Sequence, residues 1–517
     1  MKRLILLLLL VPWMVFAAHT EFYCQNGGSN LNAGSTNNNT AAYTSTNGNW
    51  NGSTIFTPTD GSTPASTVSV GDFASVYLDA ASVAVFIARV TNVAAGVNGA
   101  ITVSSTIKVG TAPTSGASGR SIKTGGAWKG PNAGVGFPFT LIKGVLVDTN
   151  NDPTRINFKN DATYSITSGI TQASGASNVT YRGYTSSVGD SGYATIDGGT
   201  STITLFSQDT NASGDVFENL IFSNNGTSGA NDGFLLQSSS TVMRNCVVHD
   251  IRGNGINCNS ADILITECET YLCNKSNTSQ TSAIAMNSGS SGTIEYTISH
   301  DNAGSNGDGM FIAAASGKSI NLYNNIFDTN AGKGVNLLMF SGSATIFVSG
   351  CDFYNNTSDG LLFAVSTGIT ARLYVKNSNF IKNGGWGINT SFSGTGNAMG
   401  RIDSNGFGAG TQVNTSGNIA ATLFGIVDGG TSVNYASNVT PWIDPANGDF
   451  RINLAAAQGV GRGVFTETQA SYSGTIGYPD IGAAQAQIGT AFPTPTPVPT
   501  PTATPTVSAE QSYGFPQ

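Results

Sequence analysis

A short pattern that returns about every 26 residues dominates the middle of the chain, between positions 220 and 390. In each repeat a polar turn ends in a glycine, and an apolar residue follows directly. The pairs are Gly233-Phe234, Gly255-Ile256, Gly309-Met310, Gly334-Val335, Gly360-Leu361 and Gly387-Ile388, with Ala283-Ile284 in the slot between the second and third. Their spacings are 22, 28, 26, 25, 26 and 27 residues. A fixed period of this size predicts stacked structural repeats.

Within each repeat the apolar residues alternate, at the first and third positions after the glycine, as in Phe234 and Leu236. Such alternation predicts a β-strand with one buried face. The repeats are too rich in Gly, Asn, Ser and Thr, and lack the apolar spacing, for a pair of helices. Stacked strands lie about 4.8 Å apart. We therefore predict a β-solenoid in which Phe234, Ile256, Met310 and Leu361 share one interior column.

A series of asparagines runs in the same phase as the glycines. We predict that it forms a structural ladder of Asn225, Asn274, Asn302, Asn330, Asn356 and Asn383, with Ile251 in the one slot that lacks an asparagine. An asparagine tolerates left-handed backbone angles at a tight turn, and its amide can bond to the asparagine of the next repeat. This pattern favours a structural over a catalytic role for these residues.

The first residues predict export. Lys2 and Arg3 precede an apolar run over 4–16, and two alanines follow. This is the layout of a signal peptide over 1–18 rather than of a membrane anchor, because a helix needs about 20 apolar residues to cross a bilayer. We therefore expect a secreted protein, extracellular or at the cell surface, with no transmembrane segment in the mature chain.

Composition and charge narrow the class of partner. With 65 Gly and 10% charged residues, the chain is unlike an ordinary helical enzyme. It carries 22 basic and 30 acidic residues, a net charge of -8, and without the two basic residues of the signal peptide the balance is 20 against 30. Such a surface argues against nucleic acid as a partner. Extracellular polysaccharide or surface proteins are the expected partners, and both a neutral polymer and an acidic polymer bridged by a cation stay open.

The six cysteines, an even number in an exported chain, allow two interpretations. Cys246 and Cys268 lie 22 residues apart, each just before a matching predicted strand, so that one is expected above the other. A disulfide and a stack of free thiols both fit this spacing, and the stack is favoured because Cys258 occupies an inward slot. No paired CxxC or histidine spacing accompanies them, so we expect no metal site.

The remaining segments give a domain layout. Residues 19–140 lack the period but contain predicted short strands at 68–72, 83–90 and 101–103, and we interpret them as an N-terminal β-rich cap domain. Its basic and aromatic cluster, Arg120 to Lys123 with Trp128, indicates either a binding role or a packed turn. The coils are expected over 141–430, a C-terminal closing segment over 431–490, and a Pro/Thr-rich spacer or disordered tail over 491–517.

Three segments near the start of the repeats carry a family resemblance. Residues 178–184, 194–199 and 216–222 resemble the opening coils of right-handed parallel β-helix proteins of the pectate-lyase-like superfamily, as found in exported bacterial β-helix repeat proteins. The resemblance implies an all-β fold with a right-handed parallel β-helix of about 11 coils. It does not imply an activity, because this fold hosts lyases, hydrolases, phage tailspikes, adhesins and surface proteins.

A first candidate site is a glycan-binding row. The resemblance implies that a polymer would lie along the outer face of one parallel sheet, but the outward residues of the strand after each glycine are uncharged. The residue before each glycine is more polar, and Asp308, Lys333, Asp359 and Trp386 would stack into a line of alternating charge that ends in an aromatic platform. The alternative is that aspartate at this position only favours the turn.

A second candidate site is catalytic. It consists of His249, Asp250 and Arg252, with His300 and Asp301 two coils later and Lys275 in the coil between. Together these residues could supply the base, cation ligand and charge neutraliser of a β-elimination, whereas the alternative is a solvated corner. The polygalacturonase motifs are absent, and the Trp-Ile-Asp-His segment of pectate lyases is missing, since Trp442-Ile443-Asp444 is followed by Pro445.

The sequence therefore favours an exported, non-catalytic surface or matrix protein that binds polysaccharide or partner proteins along its solenoid faces. The alternative is a polysaccharide lyase, or with less support a glycoside hydrolase, centred on the second candidate site. No cofactor is expected for the first function, and Ca²⁺ is the cation that a lyase would use. A phage-type receptor-binding spike is disfavoured by the signal peptide.

Overall fold

We describe the protein from a computed structural model. It describes residues 20–25, 40–78, 86–110, 117–124, 154–172, 177–314, 317–340, 343–392, 397–403 and 405–408, with short segments at 413–414, 426–428, 433–434, 442–447 and 449–452. The predicted signal peptide, Trp128, the domain boundary at 140 and the Pro/Thr-rich spacer lie outside these residues. The chain divides into two units, 1–162 with 172–192, and 163–171 with 193–517. In the described ranges no helix has the length and hydropathy that crossing a bilayer requires.

The first unit begins with β1 (Thr20–Cys24), and six antiparallel strands then form a sheet that closes on itself. These strands are β2 (Tyr43–Trp50), β3 (Ile55–Pro58), β4 (Phe73–Leu78), β5 (Phe86–Val93), β6 (Ile101–Gly110) and β7 (Ala117–Thr124), with a 3-10 helix at Pro64–Ser66. Trp50, Phe56, Val76 and Ile122 belong to their common core. The segment 68–72, for which a strand is expected, instead forms a turn that the Asp72 carboxylate holds by accepting from the Ser69 backbone N–H at 2.8 Å.

A second, parallel sheet in this unit joins β1 to β8 (Thr154–Lys159) and β11 (Val179–Tyr184). Glu21 on β1 accepts a hydrogen bond from Asn157 at 2.6 Å and pairs with Arg155 at 3.3 Å and Arg182 at 3.5 Å. These contacts tie the first strand of the described chain to strands more than a hundred residues later. Of the predicted basic cluster, Arg120 is buried on β7.

The second unit is built from three parallel sheets. Sheet 1 contains β14 (Val216–Glu218), β17 (Val242–Arg244), β20 (Ile263–Thr266), β23 (Gly292–Glu295), β26 (Ser319–Tyr323), β29 (Ala344–Ser349), β32 (Thr370–Lys376), β35 (Asn397–Asp403) and β38 (Ile426–Asp428). Sheet 2 contains β9 (Tyr164–Ser165), β12 (Ala194–Asp197), β15 (Leu220–Ser223), β18 (Val247–His249), β21 (Glu269–Tyr271), β24 (Ile298–His300), β27 (Ile326–Asp328), β30 (Asp352–Tyr354), β33 (Asn379–Ile381), β36 (Gly406–Phe407) and β39 (Val433–Asn434). Sheet 3 contains β10 (Ile170–Thr171), β13 (Phe206–Ser207), β16 (Phe234–Leu236), β19 (Ile256–Cys258), β22 (Ser282–Met286), β25 (Asp308–Ala314), β28 (Val335–Met339), β31 (Leu361–Val365), β34 (Ile388–Phe392) and β37 (Val413–Asn414).

Each turn of the solenoid takes one strand from sheet 1, one from sheet 2 and one from sheet 3. Among the described residues of this unit, eight such coils are complete, from β14 to β37, and parts of three others are present. Every strand pairs in parallel with the equivalent strand of the next coil, as β28 does with β31. The all-β fold and the predicted parallel β-solenoid are therefore confirmed, with eight complete coils in the described residues against the about 11 that the sequence predicts.

The predicted interior column is present in sheet 3. Phe234 pairs with Ile256, Met310 lies further along the same row, and Leu361 follows, all of them 0% exposed. A second column runs inside sheet 2, where the rings of Phe327, Phe353, Phe380 and Phe407 stack with centroids 5.2, 4.5 and 5.3 Å apart. The core of the unit is thus a set of like residues stacked in register.

The asparagine ladder follows the turn from sheet 2 to sheet 3. The Nδ2 of Asn302 donates to Asn330 at 2.7 Å, Asn330 donates to Asn356 at 2.9 Å, and Asn356 donates to Asn383 at 2.9 Å. The left-handed residue is the one before each ladder position, with φ between 48° and 60°: Asn224, Asp250, Leu272, Asp301, Thr329, Asn355 and Lys382. The left-handed residue bends the chain from sheet 2 toward sheet 3, and the side chain of the next residue then points into the interior.

Asn274 corrects the predicted ladder. The register pairs Tyr271 with His300, which places Cys273 opposite Asn302, and the Cys273 backbone N–H donates to the Asn302 side chain at 3.0 Å. Asn274 lies one residue further on, where its Nδ2 donates to the Asn306 carbonyl at 2.7 Å. It stabilises the longer loop of its own coil instead of the ladder.

The cysteines support the stack over the disulfide. All six are buried and free in the described chain. Cys246 and Cys268 precede the paired residues Val247 and Glu269 in adjacent coils of sheet 2. Each thiol lies within hydrogen-bonding distance of a carbonyl one coil away, Phe217 for Cys246 at 3.6 Å and Met243 for Cys268 at 3.5 Å.

The described part of the predicted closing segment lies on an outer face of the solenoid. It is a hairpin of β40 (Trp442–Asp444) and β41 (Asp449–Ile452), with a 3-10 helix at Pro445–Asn447 between them. Trp442 and Phe450 are each 1% exposed and pack with four outward residues of sheet 2: Ile298, Ile326, Tyr354 and Ile381. The hairpin therefore covers part of sheet 2, a position that local sequence patterns do not specify.

The ladder is expected to carry much of the stability of the solenoid. In Asn356→Ala, the Phe327 carbonyl, the Asn383 side chain and the Asn330 amide would lose buried partners, so we expect a loss on the order of 3–6 kcal/mol in the free energy of unfolding, measured by urea denaturation. The neighbouring Asn355→Gly keeps the left-handed backbone and should cost less than about 1 kcal/mol. Equal losses for the two variants would contradict a structural role for the ladder.

Candidate functional site

Five of the six predicted catalytic residues converge on the outer face of sheet 2 around a stack of three rings, here called the ring column. His249, Tyr271 and His300 end strands β18, β21 and β24, and the register pairs each with the next. The His249 and Tyr271 rings are parallel with centroids 4.7 Å apart, and Tyr271 and His300 are 5.2 Å apart. Tyr271 is thus held between the two histidines.

Carboxylates and a lysine flank the first histidine. His249 Nδ1 and Asp250 Oδ2 are 2.7 Å apart, and Lys275 Nζ donates to the other oxygen of Asp250. The hydrogen bond from His249, followed by that from Lys275, lowers the pKa of Asp250 to about 2. Asp250 is therefore a carboxylate at neutral pH and already has two partners.

The second histidine is held at both ring nitrogens. His300 Nδ1 donates to Asp301 at 2.8 Å, and Nε2 donates to Glu269 at 3.0 Å. Burial disfavours the charged ring, but the hydrogen bonds to Asp301 and Glu269 outweigh it and raise the pKa of His300 to about 9. At neutral pH His300 is a cation with both N–H groups engaged, which leaves it no lone pair to act as a base.

Asp328 continues the row next to His300 in the following coil. Burial raises the pKa of this carboxyl to about 7, partly offset by the charge of His300. Its Oδ1 atom is buried and has no hydrogen-bond partner in the described chain. Asp328 is thus a partly buried acid that is half protonated near neutral pH, beside the ionised Asp301.

The structure separates one predicted member from the ring column and adds three. Arg252 donates its Nε–H to the Gly229 carbonyl at 3.4 Å and lies in the loop beyond the strand. Glu269, Tyr271 and Asp328, which sequence reasoning missed, belong to the column. The available signal was strand register, because Tyr271 and Asp328 occupy the same strand position as the two histidines.

In the predicted glycan-binding row, the aspartates bond within the protein. Asp308 accepts from the Lys333 backbone N–H at 2.7 Å and from Asn336 Nδ2 at 2.7 Å. Asp359 is held in the same way by the backbone N–H of Trp386 at 2.8 Å and by an asparagine of the next coil at 2.9 Å. Both aspartates are buried, so only the Lys333 and Trp386 side chains of this row face solvent, Trp386 at 40% exposure.

A further surface, not anticipated from the sequence, runs along the outer face of sheet 1. A groove of about 680 Å³ crosses three coils at the start of strands β20, β23 and β26. Its lining mixes polar and apolar groups and includes Asp262, Leu264, Thr293, Lys318 and Asn321. The groove therefore runs across the strands, along the axis in which the coils stack.

The row of side chains in the groove continues beyond it. Successive strand pairings place six outward residues in one line, which we call the sheet 1 track: Leu264, Thr293, Asn321, Phe347, Tyr374 and Arg401. The rings of Phe347 and Tyr374 stack with centroids 5.0 Å apart at 12°, and Phe347 is 37% exposed. A groove of mixed polarity is thus followed by an aromatic surface.

Residues 209–342 match a protein-family model described as a right-handed β-helix region. This match covers the coils that hold the ring column and the groove. Together with the three parallel sheets, the match identifies this part of the second unit as a right-handed parallel β-helix. No curated protein has a matching sequence.

Solved structures with similar β-helices include a pectate lyase, an epimerase module and a phage tailspike. A pectate lyase shares 17% identity over 65% of this chain and 88% of its own, with a TM-score of 0.42. The A-module of a mannuronan C-5 epimerase from Azotobacter vinelandii shares 13% over 55% and 84%, with a TM-score of 0.41. A tailspike of Pseudomonas phage phi297 shares 10% over 82% and 69%, with a TM-score of 0.26. Likenesses this distant say nothing about what this β-helix binds.

Asp328 should make the stability of the β-helix depend on pH. Its pKa is about 7 in the folded state against 3.8 for an ordinary aspartate, so the folded state binds more protons between these values and stability falls as pH rises through this window. In Asp328→Asn the decline is removed, and the variant should be more stable than the parent by roughly 2–4 kcal/mol at pH 8 but not at pH 4.

Urea denaturation across pH 4 to 8 measures this difference. Asp301→Asn is the matched control, with an effect of opposite sign. The hydrogen bond from His300 lowers the pKa of Asp301, so loss of this carboxylate should destabilise the protein at pH 8. A gap between Asp328→Asn and the parent that does not change with pH would show that Asp328 ionises normally.

Proposed function

We propose that this protein is an exported, non-catalytic β-helix protein that binds a linear polysaccharide along the sheet 1 track. The observation that carries the proposal is the continuity of this groove with a stacked aromatic pair, of which Phe347 is exposed and Tyr374 half-buried, in one in-register row. A coil rise of about 4.8 Å is close to the length of one sugar ring, so successive coils can meet successive sugars.

The chemistry of the track suits a sugar chain. Thr293 and Asn321 in the groove offer hydroxyl and amide groups for hydrogen bonds to sugar hydroxyls. Phe347 and Tyr374 offer an apolar surface for the C–H face of a pyranose ring. A polymer that runs parallel to the stacking axis meets both surfaces without bending.

The hydrogen bonds that Asp250 and His300 make within the ring column support a non-catalytic role. Asp250 has two partners, and both ring nitrogens of His300 are bound to carboxylates. Mutual pairing of this kind stabilises a surface corner and leaves few groups for proton transfer to a substrate. The exported location of the protein follows from the predicted signal peptide and is part of the proposal.

Catalysis at the ring column is the second candidate function. One observation favours it, because Asp328 has a pKa near 7 beside the lower-pKa carboxyl of Asp301, and two carboxyls with separated pKa values are the arrangement of a general acid with its partner. In the described chain no three His, Cys, Asp or Glu side chains converge as metal ligands, so we derive no step through Ca²⁺.

The aromatic pair should dominate binding. In Phe347→Ala with Tyr374→Ala, loss of the stacking surface should weaken polysaccharide binding at least about tenfold in affinity electrophoresis or calorimetry with a panel of polymers. Phe340→Ala is the matched control, because Phe340 is a 48% exposed phenylalanine outside the track. Equal binding by all three proteins would contradict the assignment of the track.

Catalysis is tested separately. We expect the purified protein to release neither unsaturated products nor new reducing ends from uronate and neutral polymers, with or without calcium, over hours at pH 5 to 9. Product formation that is lost in Asp328→Asn or His249→Ala would replace the non-catalytic proposal with the second candidate function. Product that persists in both variants would indicate a contaminating enzyme.

A further inference from the structure

The basic residues of the second unit differ in whether their side chains bond to other residues of the protein. Between positions 193 and 434 the chain contains nine Lys and Arg residues. Five have partners, since Arg244 pairs with Glu218, Lys275 with Asp250 and Lys333 with Asp308, Lys382 bonds to Tyr354, and Arg252 bonds to Gly229. The other four are Lys318, Arg372, Lys376 and Arg401, of which Arg401 also has an interaction within the protein.

These four residues lie on one surface. Lys318 lines the groove, and Arg401 belongs to the sheet 1 track. Arg372 and Lys376 flank Tyr374 at two residues on either side in β32, so all three side chains leave the same face of sheet 1. The basic groups therefore border the groove and the aromatic pair.

Within the described residues, the side chains of Lys318, Arg372 and Lys376 have neither a hydrogen bond nor an ion pair. Acidic residues on this face include Asp262 at the groove and Glu295 beside Thr293, both nearer the other end of the track, and the strand register sets Asp403 next to Lys376. At this end Arg372, Lys376 and Arg401 outnumber Asp403, so the surface is locally positive.

Resting on the proposed function, we propose that the polysaccharide of the sheet 1 track is anionic and that Arg372, Lys376 and Lys318 bind its acidic groups directly. A guanidinium matches the two oxygens of a carboxylate or sulfate ester, and an ammonium supplies a point charge. A polymer bridged by a divalent cation would need protein carboxylates where the track instead presents cations. Uronate and sulfated sugars share this chemistry.

Two matched pairs of polymers test the inference on the full chain. The first is polygalacturonate against its methyl ester, and the second is dextran sulfate against dextran. Calorimetry should show at least a tenfold preference for the charged member of one or both pairs, a preference for the uronate or for the sulfate identifying the group. Binding should weaken as salt rises from 50 to 300 mM and persist in EDTA.

Variants then locate the charge. Arg372→Gln with Lys376→Gln should lose at least tenfold in affinity for the charged polymer, whereas Lys382→Gln, a basic residue that lies off the track, should bind as the parent does. Circular dichroism confirms that each variant is folded. A loss that is equal in Lys382→Gln would overturn the inference, as would binding that EDTA abolishes.

The outcomes separate the two proposals. Equal affinity for the charged and neutral members of both pairs, reduced by the Phe347 and Tyr374 substitutions, would overturn the anionic inference and leave the proposed function standing. Absence of binding to all four polymers and to the wider panel would overturn both.

Discussion

In-register stacking of parallel strands is the constraint on which the rest of this structure depends. Each strand gains its backbone hydrogen bonds from the equivalent strands of the coils above and below, so a residue that suits one coil is repeated in the next. The phenylalanine column of sheet 2 and the asparagine chain from Asn302 to Asn383 are the results. A left-handed residue before each ladder position bends the chain at the same point of the coil, between sheet 2 and sheet 3.

The same register turns the outside of the solenoid into straight rows with distinct chemistry. On sheet 2, the ring column pairs its charges internally, and the C-terminal hairpin covers the neighbouring apolar residues. On sheet 1, Phe347 and Tyr374 stack on each other, and the side chains of Lys318, Arg372 and Lys376 have neither a hydrogen bond nor an ion pair among the described residues. Charged side chains are paired within the protein on the first face and less so on the second. The second face is therefore suited to binding a long ligand.

The sequence allows the interior to be predicted better than the surface. The alternation after each glycine identifies the column from Phe234 to Leu361, because burial demands like residues at one period. Counting from glycines misplaces Asn274 by one residue, since the loop that follows Cys273 is longer than in other coils. The two histidines are found by their shared phase, but Tyr271 is not, because a buried aromatic in a strand is usually core.

The track and the hairpin lie beyond such reasoning for a physical reason. Phe347 and Tyr374 lie 27 residues apart, like many pairs in this chain, and only the outward direction of their strands makes them a surface. The packing of Trp442 against Tyr354 joins residues nearly ninety positions apart, which no local pattern encodes. Which basic side chains lack a partner is likewise known only from the structure, which shows the ion pairs and hydrogen bonds of the other basic residues.

The most direct test of this account is hydroxyl-radical footprinting of the protein with and without a saturating polysaccharide that it binds. The account predicts slower oxidation of Phe347 and Tyr374 in the complex, with no change at Phe340 and Trp386, which are exposed off the track. Protection of Trp386 or Tyr271, with Phe347 and Tyr374 unchanged, would place the ligand on another face and contradict it.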